Sequence, residues 1–216
     1  AHTAFCEQVY GKDLCQLGQA DMEQIHALLE ALGIGLGSRV LDLGCGNGMI
    51  TEYISDRTQA HVTGIDVADE AIKRAQARTE SKRERLTFQI ANINALGACP
   101  CTFDTIIAID TLHIAVDLAD ALRQAGARLK PGGQMGIFWE SWIRAGTPET
   151  HLQPDNTRLA HALNKLGITY NIIDFTEANY RLWQTTRRVL EELRADFEAE
   201  GNTIIYETAM GETNRL

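Results

Sequence analysis

The sequence has no long apolar run and no excess of positive charge. None of its segments approaches the roughly 20 consecutive apolar residues that a membrane-spanning helix needs. Lys and Arg number 20 against 29 Asp and Glu, which gives a formal net charge of −9. A chain with this charge repels phosphate backbones and anionic lipid headgroups on average. We therefore expect neither a nucleic acid nor a membrane among its partners.

Cysteine is scarce and scattered, with five residues in a chain of 216. An odd number without regular spacing does not suit a disulfide framework, and a chain of this length folds without one. No basic segment followed by an apolar run opens the sequence, so we expect no signal peptide and a reduced, cytoplasmic protein. Cys99 and Cys101 have no second Cys or His pair near them in the sequence, and we predict no metal site.

Short apolar runs alternate with helix-length segments from residue 38 onward. Strands are predicted at 39–43, 62–67, 85–90, 103–109 and 134–139. Helices are predicted between them at 48–57, 69–83 and 117–129. Strands that alternate with helices favour crossover connections, which produce parallel pairing. The sequence therefore predicts an α/β fold, a doubly wound and mostly parallel sheet with helices on both faces.

The two ends of the chain depart from this alternation. Asp21 and Gly33 bound an amphipathic helix at 20–33, and residues 1–37 are predicted as an N-terminal helical cap. Residues 38–140 are predicted as the α/β core, and 141–216 as a lid or substrate region that completes the sheet of a single domain. Within that last region, helices are predicted at 157–166 and 177–199, and strands at 168–175 and 203–207.

The strongest motif is a glycine-rich loop that follows a predicted strand. Residues 40–48 read VLDLGCGNG, an apolar strand that ends in glycines at every second position. In an open parallel sheet, ligands bind beyond the carboxyl ends of the strands, where glycines let the backbone approach a ligand closely. Asp66 ends the next strand, and its carboxylate can accept hydrogen bonds from both hydroxyls of a ribose.

Two cofactor classes fit a ribose-binding loop, and the glycine spacing separates them. The dinucleotide pattern G-x-G-x-x-G, started at Gly44, needs glycine where this chain has Met49, which disfavours NAD. The pattern D-x-G-x-G-x-G instead resembles motif I of class I S-adenosylmethionine-dependent methyltransferases, and the resemblance covers about residues 38–140. It implies S-adenosylmethionine as cofactor and S-adenosylhomocysteine as product. The cofactor residues implied in this loop are Asp42, Gly44, Cys45, Gly46, Asn47 and Gly48.

Other segments resemble the same family in order and spacing. Asp66 occupies the position of the acidic residue that holds the cofactor ribose, and Val67 would pack against the adenine. Asn92 stands where the family usually has an acidic residue, and Ile93 follows it. The Asn92 carbonyl oxygen can still accept a hydrogen bond from the adenine amino group. An ordinary residue at a strand end is the alternative for Asn92.

The segment 103–113 resembles the family's fourth strand and the loop that faces the methyl group. On this ground Asp110 is assigned to the cofactor site, and His113 is the first candidate for a general base. A base is needed only if the acceptor loses a proton near the transition state. A histidine that is packed or hydrogen-bonded within the loop is the alternative. Leu129–Gly133 is similar to the turn before the family's fifth strand.

The acceptor site is expected to involve the N-terminal segment and the region 141–200. Tyr10 resembles the N-terminal tyrosine that closes over the cofactor in many small-molecule methyltransferases. Asp174–Thr176 is loosely similar to the sarcosine and dimethylglycine methyltransferase-like enzymes. Five further aromatic residues could surround a cationic group or fill the core, and they are Trp139, Trp142, Tyr170, Tyr180 and Trp183.

These resemblances imply methyl transfer from S-adenosylmethionine to a nitrogen or oxygen of a small molecule. For the partners we expect a small-molecule acceptor, and a homodimer is left open. One alternative is a non-catalytic protein that binds S-adenosylmethionine or S-adenosylhomocysteine. Another is a NAD-dependent oxidoreductase on the same fold, which Met49 disfavours.

Overall fold

The computed structural model describes residues 1–16, 18, 20–96, 102–141, 147–148, 150 and 153–213. The chain divides into two units, a smaller one of residues 1–27 and 173–216 and a larger one of residues 28–172. Among the residues described, no helix combines the length and the apolar character needed to cross a membrane. Cys99, Cys101 and Trp142 lie outside the described residues, so the predictions made for them are not addressed by the structure.

The larger unit is built on a sheet of five parallel strands. In chain order they are β1 (Arg39–Leu43), β2 (His61–Asp66), β3 (Leu86–Ile90), β4 (Phe103–Ala108) and β5 (Leu129–Ile137). Their order across the sheet is β3-β2-β1-β4-β5, and each neighbouring pair is parallel. The chain moves outward from β1 to β3 and then restarts at β4 on the other side of β1. This confirms the predicted doubly wound fold, with its switch point between β1 and β4.

Helices connect the strands and form the ends of the chain. They are α1 (His2–Tyr10), α2 (Met22–Ala31), α3 (Met49–Thr58), α4 (Asp69–Arg78), α5 (Leu118–Gly126), α6 (Arg158–Lys165), α7 (Thr176–Ala199) and α8 (Thr203–Thr213). The predicted helices lie within a few residues of α2 to α7. The predicted helix at 69–83 is too long, because α4 ends at Arg78 and a 3-10 turn follows at Glu80–Lys82.

Helices cover both faces of the sheet, as the alternation of apolar residues requires. On one face, Leu41 of β1 packs in a buried cluster with Leu122 of α5. The opposite face of β5 lies under α2, where a Cβ added to Gly136 would meet Leu28 Cδ1 at 2.6 Å. A sheet buried on both faces leaves only the strand ends open to a ligand, and these ends carry the predicted site.

The smaller unit has its own helical core. The ring of Phe5 on α1 is fully buried and meets Tyr10 and Phe197 edge to face, with ring centroids 5.9 and 6.2 Å apart. At the start of α2, the Gln24 amide donates to Asp21 Oδ1 at 2.8 Å and the Asp21 amide donates to Gln24 Oε1 at 3.1 Å. This reciprocal capping box confirms that Asp21 begins the predicted helix.

Two strand predictions are wrong. Residues 168–175 form no strand and are mostly exposed, because their β-branched side chains gain nothing without a neighbouring strand to pair with. Residues 203–207 begin α8 instead. Its apolar residues Ile205 and Ala209 lie four positions apart and pack into the core of the smaller unit, so the helical period outweighs the short apolar run.

The predicted turn at Leu129–Gly133 lies inside β5 rather than before it. Phe103 of β4 pairs with Leu129, whereas Thr105 pairs with Gln134, so the ladder is interrupted between these pairs. Gly132 has a φ of +78° within the interruption. The turn residues are therefore an irregularity of the strand, which starts earlier than the sequence predicts.

Candidate functional site

The glycine loop joins the end of β1 to α3 and is attached to the end of β2. Gly44, Gly46 and Gly48 have φ angles of +71°, +53° and +72°, a backbone region that other residues adopt only with strain. The amides of Gly44 and Cys45 both donate to the carbonyl oxygen of Ile65, at 2.8 and 3.0 Å. The loop is therefore held at the carboxyl edge of the two central strands.

Two of the three glycines are required by their neighbours, and the third faces open space. A Cβ added to Gly44 would lie 2.3 Å from Thr111 Oγ1, and one added to Gly48 would lie 2.3 Å from Phe88 Cε1. No atom lies within 4 Å of a Cβ added to Gly46. The outer glycines therefore pack the loop onto the sheet, and the space beside Gly46 is open.

Asp66 links the end of β2 to the glycine loop. Its Oδ2 accepts from the Gly46 amide at 2.8 Å, and its Oδ1 accepts from the Ala68 amide at 2.9 Å. Each carboxylate oxygen can accept a second hydrogen bond, so the pair can still receive two hydroxyl groups. Val67 lies beside it with 59% of its surface exposed, which leaves an apolar side chain free to pack against a flat ring. Asp66 ends β2, as the sequence predicts, whereas the contacts of Asp66 and Val67 with a cofactor remain predictions.

Asp42 lies beneath the loop and is buried. Its Oδ2 accepts from the hydroxyl of Thr51 on α3 at 2.6 Å. Burial raises the pKa of Asp42 from its ordinary value of 3.8 to about 6, the Thr51 hydrogen bond opposes this rise, and the charge of Asp66 adds to it. Asp42 therefore joins the end of β1 to α3 through Thr51 and does not face solvent.

The raised pKa of Asp42 predicts a loss of stability as the pH rises. Between about pH 4 and pH 6 the folded state holds a proton on Asp42 that the unfolded chain has released. As the pH rises through this range, the free energy of unfolding therefore falls by about 3 kcal/mol in total. Asp42→Asn removes this titration. We expect the stability of the variant relative to the native protein to increase by that amount from pH 4 to pH 7, measured by urea denaturation.

Asp104→Asn is the matched control with the opposite sign. A hydrogen bond from Lys130 and one from the Arg39 amide lower the pKa of Asp104, so the native carboxylate contributes stability that is lost as the pH falls. The stability of this variant relative to the native protein should decrease as the pH rises. Parallel stability curves for Asp42→Asn and the native protein would contradict the account of Asp42.

The end of β4 carries the candidate base. Asp110 has a φ of +52°, and its Oδ1 lies 3.5 Å from Nδ1 of His113 in the following 3-10 turn. The His113 side chain is 43% exposed. Thr111 lies between them in sequence, is buried, and points its hydroxyl at the carbonyl oxygens of Ile109 and Gly44, at 3.1 and 3.4 Å. The structure thus joins the β4 end to the glycine loop through Thr111.

Two predicted cofactor residues follow β3 and differ in exposure. Asn92 is exposed, and its Oδ1 accepts from the amide and the side chain of Asn94, at 2.9 and 3.1 Å. Ile93 is buried in the core cluster of the larger unit, so only its backbone is available to a ligand. The cofactor contacts of both residues remain predictions.

The other predicted residues divide between the two units. Cys45 lies under the loop, with its Sγ 2.8 Å from a Cβ added to Gly64, and burial raises its pKa. Asn47 Oδ1 accepts from the Met49 amide at 3.1 Å and shapes the loop. Tyr10 belongs to the smaller unit, where its ring is buried against Phe5. Its contact with a cofactor remains a prediction.

Three side chains that support the loop were not predicted, namely Thr51, Phe88 and Thr111. Each is identified by a contact across the fold rather than by a motif: Thr51 with Asp42, Phe88 with Gly48, and Thr111 with Gly44. In the sequence, Thr51 and Thr111 are marked only by their positions next to predicted site residues. Thr51 lies in the first turn after the loop, and Thr111 directly follows the predicted Asp110.

Comparison with known sequences agrees with this geometry. A family model described as a methyltransferase domain matches residues 40–133. The O-methyltransferase rstn1 of Aspergillus nomiae is 30% identical over 162 residues, which are 68% of this chain and 71% of that protein. A ubiquinone biosynthesis O-methyltransferase of Methylocella silvestris is 36% identical over 99 residues, 46% of this chain and 38% of that protein. The chain spans about half the length, or less, of several curated relatives.

Solved structures share the fold at lower identity. Phosphoethanolamine N-methyltransferase 2 of Haemonchus contortus, in complex with S-adenosyl-L-methionine, matches with a TM-score of 0.77 and 17% identity over 99% of this chain and 55% of that chain. The [4+2]-cyclase SpnF matches with a TM-score of 0.69 and 19% identity over 89% of this chain and 75% of that chain. The fold is therefore shared by proteins named for different reactions.

Proposed function

Because the chain belongs to the class I S-adenosylmethionine-dependent methyltransferases, we propose that it binds S-adenosylmethionine at the carboxyl ends of β1 and β2 and methylates an oxygen or nitrogen of a small molecule. The observation that carries the proposal is the link between Asp66 and the Gly46 amide. It places a carboxylate with free acceptor capacity beside an open stretch of glycine backbone, which is the arrangement an adenosyl group needs.

The remaining contacts are assigned around that link. The ribose hydroxyls donate to Asp66, the adenine packs on Val67, and the exposed Asn92 side chain lies on the segment that follows β3. The amino acid part of the cofactor lies along Gly44–Gly46, beneath which Asp42 supports the loop. Asp110 and His113 then lie on the strand-end loop that faces the methyl group.

Methyl transfer requires little from the protein beyond alignment of the acceptor with the methyl group. In an in-line displacement, the acceptor lone pair forms a bond to the methyl carbon while the carbon–sulfonium bond breaks, and S-adenosylhomocysteine leaves. The sulfonium is already activated, so the protein contributes orientation and exclusion of water. A hydroxyl or protonated amine must also lose a proton, which a nearby base accepts.

Oxygen is the acceptor atom we favour. Several curated relatives are named O-methyltransferases, among them rstn1 of Aspergillus nomiae and the ubiquinone biosynthesis enzymes. The net charge of −9 disfavours a nucleic acid as acceptor. A hydroxyl is a poor nucleophile until it is deprotonated, which gives His113 a role that a free amine would not need.

His113→Ala is expected to lower kcat by about 100-fold and to leave the affinity for S-adenosylmethionine within about twofold. The ring lies at the strand-end loop with Nδ1 3.5 Å from Asp110 Oδ1, so its loss removes a proton acceptor without touching the glycine loop. Turnover is measured on a library of phenols, carboxylates and amines, and affinity by isothermal titration.

His61→Ala is the matched control for the base. This exposed histidine begins β2, at the opposite end of the strand from Asp66, and its Nδ1 lies 3.1 Å from the Glu84 carbonyl oxygen. Both kcat and affinity should remain unchanged in it. Native turnover in His113→Ala would eliminate His113 as the base while leaving the cofactor assignment intact.

A protein that binds S-adenosylmethionine without transferring its methyl group is the second candidate, because a protein named a [4+2]-cyclase shares this fold. It predicts saturable binding of S-adenosylmethionine with no turnover on any member of the library. Methyl transfer to one acceptor, with formation of S-adenosylhomocysteine, would exclude this second candidate.

A further inference from the structure

The first helix and the loop after it bring three potential metal ligands together in the smaller unit. His2 and Cys6 lie four residues apart on α1, so their side chains share one face of the helix. Gly11, with a φ of +84°, ends the helix and lets the chain reverse. Asp13 then returns to that face, and one ligand atom from each of the three residues lies within 4.8 Å of the others.

The separation of the Cys6 and His2 ligand atoms suits a tetrahedral zinc ion. Cys6 Sγ lies 3.7 Å from His2 Nε2. Zinc at its usual distances from sulfur and nitrogen, with a tetrahedral angle between them, holds these two atoms about 3.6 Å apart. Imidazole, thiolate and carboxylate are the three donor types that zinc accepts in proteins. The helix therefore already presents two ligands at the spacing that the ion requires.

Neighbouring groups orient the ligands and leave a path for the ion. Asp13 Oδ1 accepts from the Cys15 amide at 2.9 Å, which fixes the carboxylate on its loop. Cys6 is fully buried, whereas His2 and Asp13 are half-buried. One side of the cluster is thus packed in the core, and the other side is open to solvent.

A metal ion that binds Cys6 must displace the proton of its thiol. Burial, with smaller contributions from the nearby Asp13 and Cys15, raises the pKa of the Cys6 thiol to about 12. The metal-free thiol is therefore protonated at neutral pH, and its proton leaves when the Sγ–metal bond forms. A divalent ion then balances the negative charges of the thiolate and the carboxylate.

We propose that His2, Cys6 and Asp13 form a zinc-binding site with three protein ligands and a fourth position for water. The bound ion ties α1 to the loop at 11–16. Since α1 contributes Phe5 and Val9 to the core of the smaller unit, the ion stabilises that unit. The inference does not depend on the proposed methyl transfer, because every ligand lies outside the larger unit that carries the cofactor loop.

The test is equilibrium dialysis of the full chain, under reducing conditions, against Zn²⁺ and separately against Co²⁺. We expect one ion per chain by elemental analysis, a rise in Tm of about 5 °C at saturating zinc, and a thiolate-to-cobalt absorption band. His2→Gln and Asp13→Asn should each weaken zinc binding by roughly 10-fold to 100-fold or more. Cys6→Ser should remove the cobalt band.

Cys15→Ser is the matched control, because it removes an exposed thiol next to the site that is not one of the three ligands. It should keep the stoichiometry, the cobalt band and the rise in Tm. Cys6 is buried, so its replacement also perturbs the core. The variants His2→Gln and Asp13→Asn, at half-buried positions, therefore decide the test. Failure to bind one ion, undiminished binding in both His2→Gln and Asp13→Asn, or loss of binding in Cys15→Ser would overturn the proposal.

Discussion

Asp66→Ala is expected to weaken the binding of S-adenosylmethionine by about 100-fold or more. The substitution removes the acceptor for both ribose hydroxyls, and hydrogen bonds to a charged group each contribute about 1.5–3 kcal/mol. It also releases the Gly46 amide, which Asp66 holds at 2.8 Å, so the loop loses its attachment to the end of β2. Isothermal titration measures the change, with circular dichroism to verify that the variant is folded.

Asp69→Ala is the matched control for this loss of charge. Asp69 lies three residues further along at the start of α4, is half-exposed, and pairs with Lys73 at 2.8 Å. An exposed ion pair of this kind contributes little to stability, and the residue has no place in the loop. Its affinity for the cofactor should stay native. Native affinity in Asp66→Ala would refute the ribose assignment.

Gly48→Ala is expected to destabilise the protein by about 3 kcal/mol. The residue has a φ of +72°, where an L side chain is strained, and its added Cβ would lie 2.3 Å from the ring of Phe88 and 3.0 Å from Ala75. Neither neighbour is a flexible side-chain end, so β3 or α4 must shift. The midpoint of urea denaturation at constant slope measures the loss.

Alanine substitutions at two other glycines measure the cost of the left-handed conformation without a steric clash. Gly46 and Gly33 have φ angles of +53° and +58°, and no atom lies within 4 Å of a Cβ added to either. Alanine at each should cost only the left-handed conformation, about 1–2 kcal/mol. Gly46→Ala should in addition weaken cofactor binding, since its methyl group enters the space assigned to the ligand. Equal destabilisation by all three substitutions would contradict the packing account of Gly48.

The sheet could be predicted because its signals are local. Each of the five strands is a short apolar run bounded by helix-length segments, and β1 ends in a glycine loop whose form a strand-to-helix turn requires. The regions at 168–175 and 203–207 have equally apolar runs. Their state depends on whether a neighbouring strand or a helical face exists to pack against, and the sequence does not carry that information.

The candidate site could likewise be predicted only in part. Asp66 could be assigned from its position at a strand end, but its hydrogen bond to Gly46 could not. The burial of Ile93 and the contact of Thr111 with Gly44 arise from packing between distant segments. The approach of Asp13 to His2 and Cys6 depends on the reversal at Gly11, which a search for paired cysteines does not detect.

Parallel isothermal titrations with S-adenosylmethionine, S-adenosylhomocysteine and NAD test the central claim most directly. The proposed site at Asp66 and Gly46 predicts saturable binding of both adenosyl compounds, no heat from NAD, and loss of the adenosyl signal in Asp66→Ala but not in Asp69→Ala. Binding of NAD alone, or silence from all three ligands in the folded native protein, would contradict it.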